Sequence, residues 1–227
     1  MFNMTTSGFL LIDKPSGPTS HDIIDQLRRI TGIRKIGHAG TLDPFASGLL
    51  IAAVGREATR EIDRFVKADK KYTAMIRLGE ESDTYDRTGQ VKKIEPAVPV
   101  DPSAVEAVLK RFVGAQEQTP PMYSAKKVGG KKLYELARRG LVVERKPSAI
   151  EIYDLRLIHY AWPDLIVSVH CSSGTYIRVL AHDLGRSLGC GACLYELERT
   201  AINGYNINKA KTVAEIANDW QQFLFAA

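Results

Sequence analysis

The stretch Gly37-His38-Ala39-Gly40-Thr41-Leu42-Asp43-Pro44-Phe45-Ala46-Ser47-Gly48 puts one carboxylate on a glycine-punctuated loop between two apolar segments. Pro44 biases Asp43 toward an extended conformation, and the glycines permit turns and close approaches that a Cβ resists. An aspartate held in this way can serve as a nucleophile or as a base, although Asp-Pro is also ordinary turn chemistry. Two further residues could join it. Tyr72 starts a strand-like run directly behind Lys70 and Lys71 and offers a ring and a hydroxyl, or simply a core tyrosine. Arg178 falls in the first turn of a helical pattern, where the positive end of the helix disfavours a cation by a few tenths to about 1 kcal/mol unless an anion lies nearby. It is therefore a candidate partner for a carboxylate or a phosphate, in a site or in a structural salt bridge.

Charge locates a second candidate. The 227 residues carry a formal net charge of +5, with 44% apolar and 25% charged residues, an ordinary globular composition. Between Lys126 and Lys146 stand eight basic residues, Lys126, Lys127, Lys131, Lys132, Arg138, Arg139, Arg145 and Lys146, against Glu135 and Glu144, so this segment alone is +6 and the remainder is −1. The basicity is one patch and not a background. Tyr123 and Tyr134 interleave with it, and cations beside accessible rings suit a surface that grips a nucleic-acid backbone and stacks on bases. A solubilising lysine-rich loop is the plainer reading.

Other chemistries are poorly served. Gly129-Gly130-Lys131 invites a phosphate loop, but Ala125 stands where that motif needs glycine and Lys132 where it needs serine or threonine. Cys190-Gly191-Ala192-Cys193 has redox or zinc spacing, and Cys171 and His182 could be imagined as further ligands. Yet Cys190 follows Gly189, a helix-ending glycine, which is the wrong end of a helix for a stabilised thiolate, and Cys193 opens an alternating run. Reduced, partly buried thiols are expected. No spacing suggests a nucleophilic triad. No run reaches membrane-spanning length and residues 1 to 20 lack a signal-peptide layout, which places the protein in the cytoplasm.

The elements that must position these residues are legible from periodicity. Phe9-Leu10-Leu11-Ile12 and Leu49-Leu50-Ile51-Ala52-Ala53-Val54 are unbroken apolar runs suited to strands buried on both faces. Between them a helix is predicted, capped by Thr19 or Ser20, with Ile23, Ile24, Leu27 and Ile30 on one face and Gly32 at its end. A short helix through Ile62, Phe65 and Val66 precedes a strand that turns Tyr72, Ala74, Ile76 and Leu78 to one side. Glu80 to Gly89 reads as a polar turn region in which Asp83 and Asp86 are solvated. Asp101-Pro102 opens a helix with Val105, Val108, Leu109 and Phe112 inward, Ile150 to Tyr160 and Leu165 to Cys171 form a hairpin about Trp162-Pro163-Asp164, and Ile177, Leu180, Ala181, Leu184 and Leu188 give the next helix its core face. Thr212 to Leu224 is predicted as a last helix with a Thr212/Glu215 capping box.

Five motifs in one order then carry a resemblance: Gly37-His38-Ala39-Gly40-Thr41-Leu42-Asp43-Pro44, Lys71-Tyr72, Pro121-Met122-Tyr123-Ser124-Ala125-Lys126, Lys132-Leu133-Tyr134-Glu135-Leu136-Ala137-Arg138 and Gly174-Thr175-Tyr176-Ile177-Arg178. Together they resemble the TruB family of tRNA pseudouridine synthases, from about Gly8 to about Thr200. The resemblance implies an α+β pseudouridine synthase fold: a mixed, mostly antiparallel sheet flanked by helices, with a central RNA-binding cleft where the Asp43 loop, the Tyr72 strand and the Arg178 helix start meet. It implies a cofactor-free isomerisation of uridine to pseudouridine at position 55 of the tRNA T-loop, by base flipping. On its motifs Asp43 is the essential aspartate, Tyr72 packs on the flipped base, and Arg178 pairs with Asp43. His38 lies at the RNA surface, filling the space of the flipped nucleotide, and Gly40 lets the RNA come close. Lys71, Tyr123, Lys126, Lys127, Lys131, Lys132, Arg138 and Arg139 are the candidate RNA contacts. The resemblance further implies one catalytic domain over residues 1–227, without the C-terminal PUA domain usual in bacterial relatives, no metal, a monomer, and the T-arm of tRNA as partner. A non-catalytic RNA-binding protein remains the alternative. A nucleosidase would want a second carboxylate such as Asp83 or Asp86 beside Asp43.

Overall fold

The computed structural model describes residues 7–96, 98–124, 126–137 and 139–226, with the side chains at 127, 128, 132 and 134 outside that description. The chain forms two compact units, one built from the chain up to Tyr72 together with the chain from Leu197 onward, the other from Thr73–Glu196.

In the first unit the order is β1 (Gly8–Lys14), α1 (Ser20–Thr31), β2 (Ile36–His38), β3 (Ser47–Val54), α2 (Gly55–Glu61), α3 (Asp63–Val66) and the start of β4 (Lys70–Leu78). β1 and β2 both pair antiparallel with β3, so the two apolar runs lie side by side, Phe9 opposite Ala53 and Ile12 opposite Leu50. Leu10, Ile12, Leu50, Ala52 and Val54 face a core completed by Ile23, Ile24 and Leu27 of α1, while Phe9, Leu49, Ile51 and Ala53 face a second core with Ala39, Phe65 and Ile202. Both strands are therefore buried on both sides, as their unbroken apolar character predicts, and each fully buried Leu or Ile stabilises by about 1.5–3 kcal/mol. α1 begins at the Thr19 cap, whose side chain accepts from Asp22 N while Asp22 reaches back to Thr19 N, and it ends at Gly32. The predicted helix through residue 62 is two short pieces, α2 and α3, that meet at Ile62.

The second unit takes β4 onward through β5 (Glu80–Ser82), β6 (Val91–Lys93), α4 (Pro102–Arg111), β7 (Gly114–Gln118), β8 (Lys127–Val128), β9 (Lys131–Lys132), α5 (Leu133–Ala137), β10 (Ser148–Ala161), β11 (Asp164–Cys171), α6 (Ile177–Leu188) and the first part of β12 (Ala192–Ile202). Here β4, β11, β10 and β7 lie in that order, with β10 antiparallel to both β11 and β7. The burial of β4 alternates, with Tyr72, Ala74, Ile76 and Leu78 inward, as the spacing requires. The basic segment is not a bare loop: β8 and β9 pair as a small hairpin, and Leu133 and Leu136 of α5 are buried.

The chain returns to the first unit in the rest of β12, which runs parallel to β3 and antiparallel to β13 (Tyr205–Asn206), and finishes with α7 (Val213–Asn218). The Thr212/Glu215 capping box forms as expected, but α7 stops at Asn218 and a 3-10 turn, Trp220–Phe223, follows. Asp219 sits at φ −158 and ψ 78, outside the helical region, so the predicted single helix is interrupted there. Sheets in both units are thus mixed or antiparallel, flanked by helices, the α+β class expected. Among the described residues no helix is long and apolar enough to cross a membrane.

Candidate active site

Asp43 is half-buried in the loop between β2 and β3, and that loop is sewn to the segment joining β1 to α1. Leu42 N donates to Ser20 Oγ at 2.9 Å, and Ser20 Oγ donates to Leu42 O at 3.2 Å. Gly17 N donates to Pro44 O at 2.8 Å, Ser16 Oγ to Phe45 O at 2.8 Å, and Ala46 N closes a turn onto Asp43 O at 3.0 Å. Backbone on both sides of Asp43 is therefore fixed by bonds that do not involve its carboxylate, the arrangement a positioned catalytic group needs. Ser16 and Ser20 escape sequence reasoning because serine after Pro15 or at a helix start reads as local turn and cap chemistry.

Of the buried cations in the same unit, Lys14 and Arg199 touch the Asp43 loop. Lys14, fully buried at the end of β1, donates from Nζ to Pro15 O (2.9 Å), Pro18 O (2.7 Å) and Pro44 O (3.4 Å). Burial, then the charge of Arg199, pull its pKa down to about 8, with Asp43 and Asp22 opposing. Arg199 of β12 is 1% exposed; its Nε donates to Leu49 O at 2.8 Å, its Nη2 to Gly40 O at 3.1 Å, and its side chain is hydrogen-bonded to Tyr72. Burial lowers its pKa as well. A period-2 signal for Arg199 exists: it alternates with Leu197 and Ala201, both buried, and so falls on the inward register of its strand.

The structure brings Asp43, Tyr72, His38 and Gly40 together in this unit. Tyr72 is buried at the start of β4, and Lys71 beside it is exposed. Lys70, the other lysine ahead of Tyr72, turns inward and donates to the carbonyls of Phe65 (3.1 Å), Val66 (2.6 Å) and Ala68 (2.6 Å), because the alternation of β4 sends residue 70 to the core side. His38 closes β2 opposite Ala52; its pKa is lowered by burial and by Arg199, and its Nδ1 is enclosed without a hydrogen-bond partner. Gly40 has φ +85, where a side chain would be strained, and its carbonyl serves Arg199.

Arg178 belongs to the second unit. It sits in the first turn of α6, whose start is held by Gln118: Tyr176 N donates to Gln118 Oε1 at 2.8 Å and Gln118 Nε2 donates to Tyr176 O at 3.1 Å. The anion that the helix-start argument demands is present, Asp86 Oδ2 at 3.4 Å from Nη1, with both side chains almost fully enclosed. This corrects the reading of Asp86 as solvated. Asp86 Oδ1 also accepts from Thr84 Oγ1 (2.9 Å), Thr88 N (2.9 Å) and Thr88 Oγ1 (2.5 Å), a set of donors that keeps a carboxylate comfortable out of water. Asp83, by contrast, accepts from Gln90 N in an exposed turn.

Of the candidate RNA contacts, Tyr123 is 36% exposed, and Lys126, Lys131 and Arg139 are exposed, Lys126 with its Nζ on Ser148 Oγ. Arg138 and the side chains of Lys127 and Lys132 lie outside the described residues. None of the three cysteines is in a disulfide and all are buried; burial raises the thiol of Cys190 and pushes that of Cys193 up to about 11, so both are inert as nucleophiles.

Comparison with known proteins identifies the family. Residues 28–177 match the TruB family pseudouridylate synthase (N terminal domain), and residues 178–223 match the tRNA pseudouridylate synthase B C-terminal domain. The protein named tRNA pseudouridine synthase B from Chlamydia felis (strain Fe/C-56) is 47% identical over 202 residues, covering 89% of this chain and 85% of that protein. Its namesake from Protochlamydia amoebophila (strain UWE25) is 49% identical over 209 residues, covering 92% and 79%. Among solved structures, a chain of a Cbf5-Nop10-Gar1 complex superposes with a TM-score of 0.74 at 28% identity, and one of an H/ACA RNP bound to a substrate RNA containing 2'-deoxyuridine with 0.70 at 26%. These cover 96% and 94% of this chain, which spans about half of each of those chains, 55% and 53%. With two thirds of its residues in one family match and near-half identity to relatives along most of their length, the chain belongs to the TruB family of pseudouridylate synthases.

Proposed function

We propose that this protein isomerises uridine to pseudouridine in tRNA, at position 55 of the T-loop, without a cofactor. The N1–C1′ bond breaks, the uracil turns, C5 joins C1′, and the proton leaving C5 is matched by one gained at N1, so nothing is consumed. Asp43 is the residue on which turnover depends, either attacking the nucleoside or taking a proton from the ribose. The target bond lies within a stacked helix, so the nucleotide must be flipped; unstacking costs a few kcal/mol, of which a ring such as Tyr72 can return about 1–3. Arg178 is the third residue assigned to the reaction, and His38 fills the space that the nucleotide vacates. Lys71, Tyr123 and the cations of the 126–146 segment hold phosphates of the T-arm, which makes binding strongly salt-dependent. Both compact units serve this one catalytic task in a cytoplasmic monomer.

The observation that carries the proposal is the loop itself: in a chain of this family, an aspartate is held in place on both flanks by bonds made through the backbone rather than through its own carboxylate. Incubation of wild type and Asp43→Asn with unmodified tRNA transcript, followed by pseudouridine-specific chemical mapping, tests it. Wild type should modify one T-loop uridine; Asp43→Asn should bind the same transcript and lose more than about 10³-fold in rate. A wild type that leaves the transcript unmodified would sink the proposal.

A further inference from the structure

Arg199 touches three places that matter to the proposed chemistry. Gly40, whose carbonyl accepts from Nη2, precedes Asp43; Leu49, whose carbonyl accepts from Nε, follows it; and the third partner is Tyr72. One rigid planar group thus ties both ends of the Asp43 loop and reaches the tyrosine. The backbone of Arg199 joins in: β12 is paired with β3 at Arg199 and Gly48, and Gly48 has φ +104, with so little room that an added Cβ would lie 2.6 Å from Arg199 N. All of these contacts lie within the first unit.

Direction follows from chemistry. A guanidinium has five donors and no acceptor, so in its bond to Arg199 the Tyr72 oxygen must accept. The phenolic proton is then turned away from Arg199. We infer that Arg199 is a positioning residue for the isomerisation, fixing the span of the Asp43 loop and, through its bond to the phenol, the place of Tyr72 beside that loop. This role rests on the proposed reading that Asp43 and Tyr72 work on a uridine. Lysine would keep the charge but not the fork, and could not serve a strand carbonyl, a turn carbonyl and a phenol in one plane.

The test uses full-length protein and unmodified tRNA transcript. Single-turnover rates, tRNA Kd and Tm are measured for wild type, Arg199→Lys, Tyr72→Phe and the double variant. Arg199→Lys should bind tRNA within about twofold of wild type yet form pseudouridine about 10²-fold more slowly, the size of loss expected when a catalytic group is displaced by about 1 Å. In the Tyr72→Phe background the same change should cost at least about fivefold less, because part of it acts through the phenol. A folded Arg199→Lys within twofold of wild-type rate, or fully additive losses, would overturn the role of Arg199 alone; no product from wild type would overturn the functional reading itself. Should Arg199→Lys not fold, ¹⁵N spectra of the arginine side chains decide: a slowly exchanging Arg199 guanidinium in wild type that loses a protected N–H in Tyr72→Phe supports the assignment, and an unchanged spectrum refutes it.

Discussion

The two units bury positive charge in different ways. In the first, Lys14, Lys70 and Arg199 donate hydrogen bonds to carbonyl oxygens of Pro15, Pro18, Pro44, Phe65, Val66, Ala68, Gly40 and Leu49. In the second, Arg178 meets a buried carboxylate, Asp86, itself supplied with hydroxyl and amide donors. A carbonyl cage satisfies hydrogen bonds without cancelling charge, so neighbouring groups feel the cation: Arg199 helps lower the pKa of both Lys14 and His38. A carboxylate partner cancels most of that field. The unit carrying Asp43 and Tyr72 is therefore kept electropositive from within, which favours an anion at its loop.

This contrast can be broken at three points. Asp86→Ala removes the buried carboxylate that Arg178 meets; it should cost about 3–5 kcal/mol, seen as a lowered urea midpoint, and a loss under about 1 kcal/mol would mean that the pair is dispensable. Gly48→Ala tests the first unit's fit, since the substitution meets both a positive φ and the Arg199 backbone; about 2 kcal/mol should be lost in the same assay. The smallest effect concerns Lys14. Its folded pKa, about 8, lies below the unfolded value of 10.5, so between these the unfolded chain binds more protons and stability contributed by this residue rises with pH. Wild type should gain about 1 kcal/mol relative to Lys14→Met between pH 7 and pH 9 in paired denaturation curves, whereas equal slopes would show that the caged lysine does not titrate there.

Much of the frame was readable beforehand. The apolar runs around Leu10 and Leu50, the Thr19 and Asp101 caps, the β10–β11 hairpin and the alternation of β4 follow from local spacing, and they came out as drawn. Asp43, Tyr72 and Arg178 could be singled out as candidates because loop glycines, a strand start and a helix start mark them. What stayed hidden depends on contacts far apart in sequence. Asp86 looked like one acid among several in a polar turn; its burial comes from Arg178, 92 residues away. Arg199 reads as a surface charge in Glu196-Leu197-Glu198-Arg199 unless the inward register is followed strictly, and its value lies in Gly40, 159 residues distant. The helix predicted to run to Leu224 ended early because its apolar residues are met by a 3-10 turn as well as by a helix.

The carbonyl cage around Lys14 has a consequence for how such a protein would look in a mutational scan. Every residue type presents the same backbone C=O, so replacing the side chains of Pro15, Pro18 or Pro44 one at a time leaves an acceptor in place at each position. A scan would return Lys14 as intolerant and its surroundings as permissive, and pairwise epistasis would find it no partner. Backbone esters, which weaken a chosen carbonyl without touching a side chain, would reveal the contacts that such a map leaves blank.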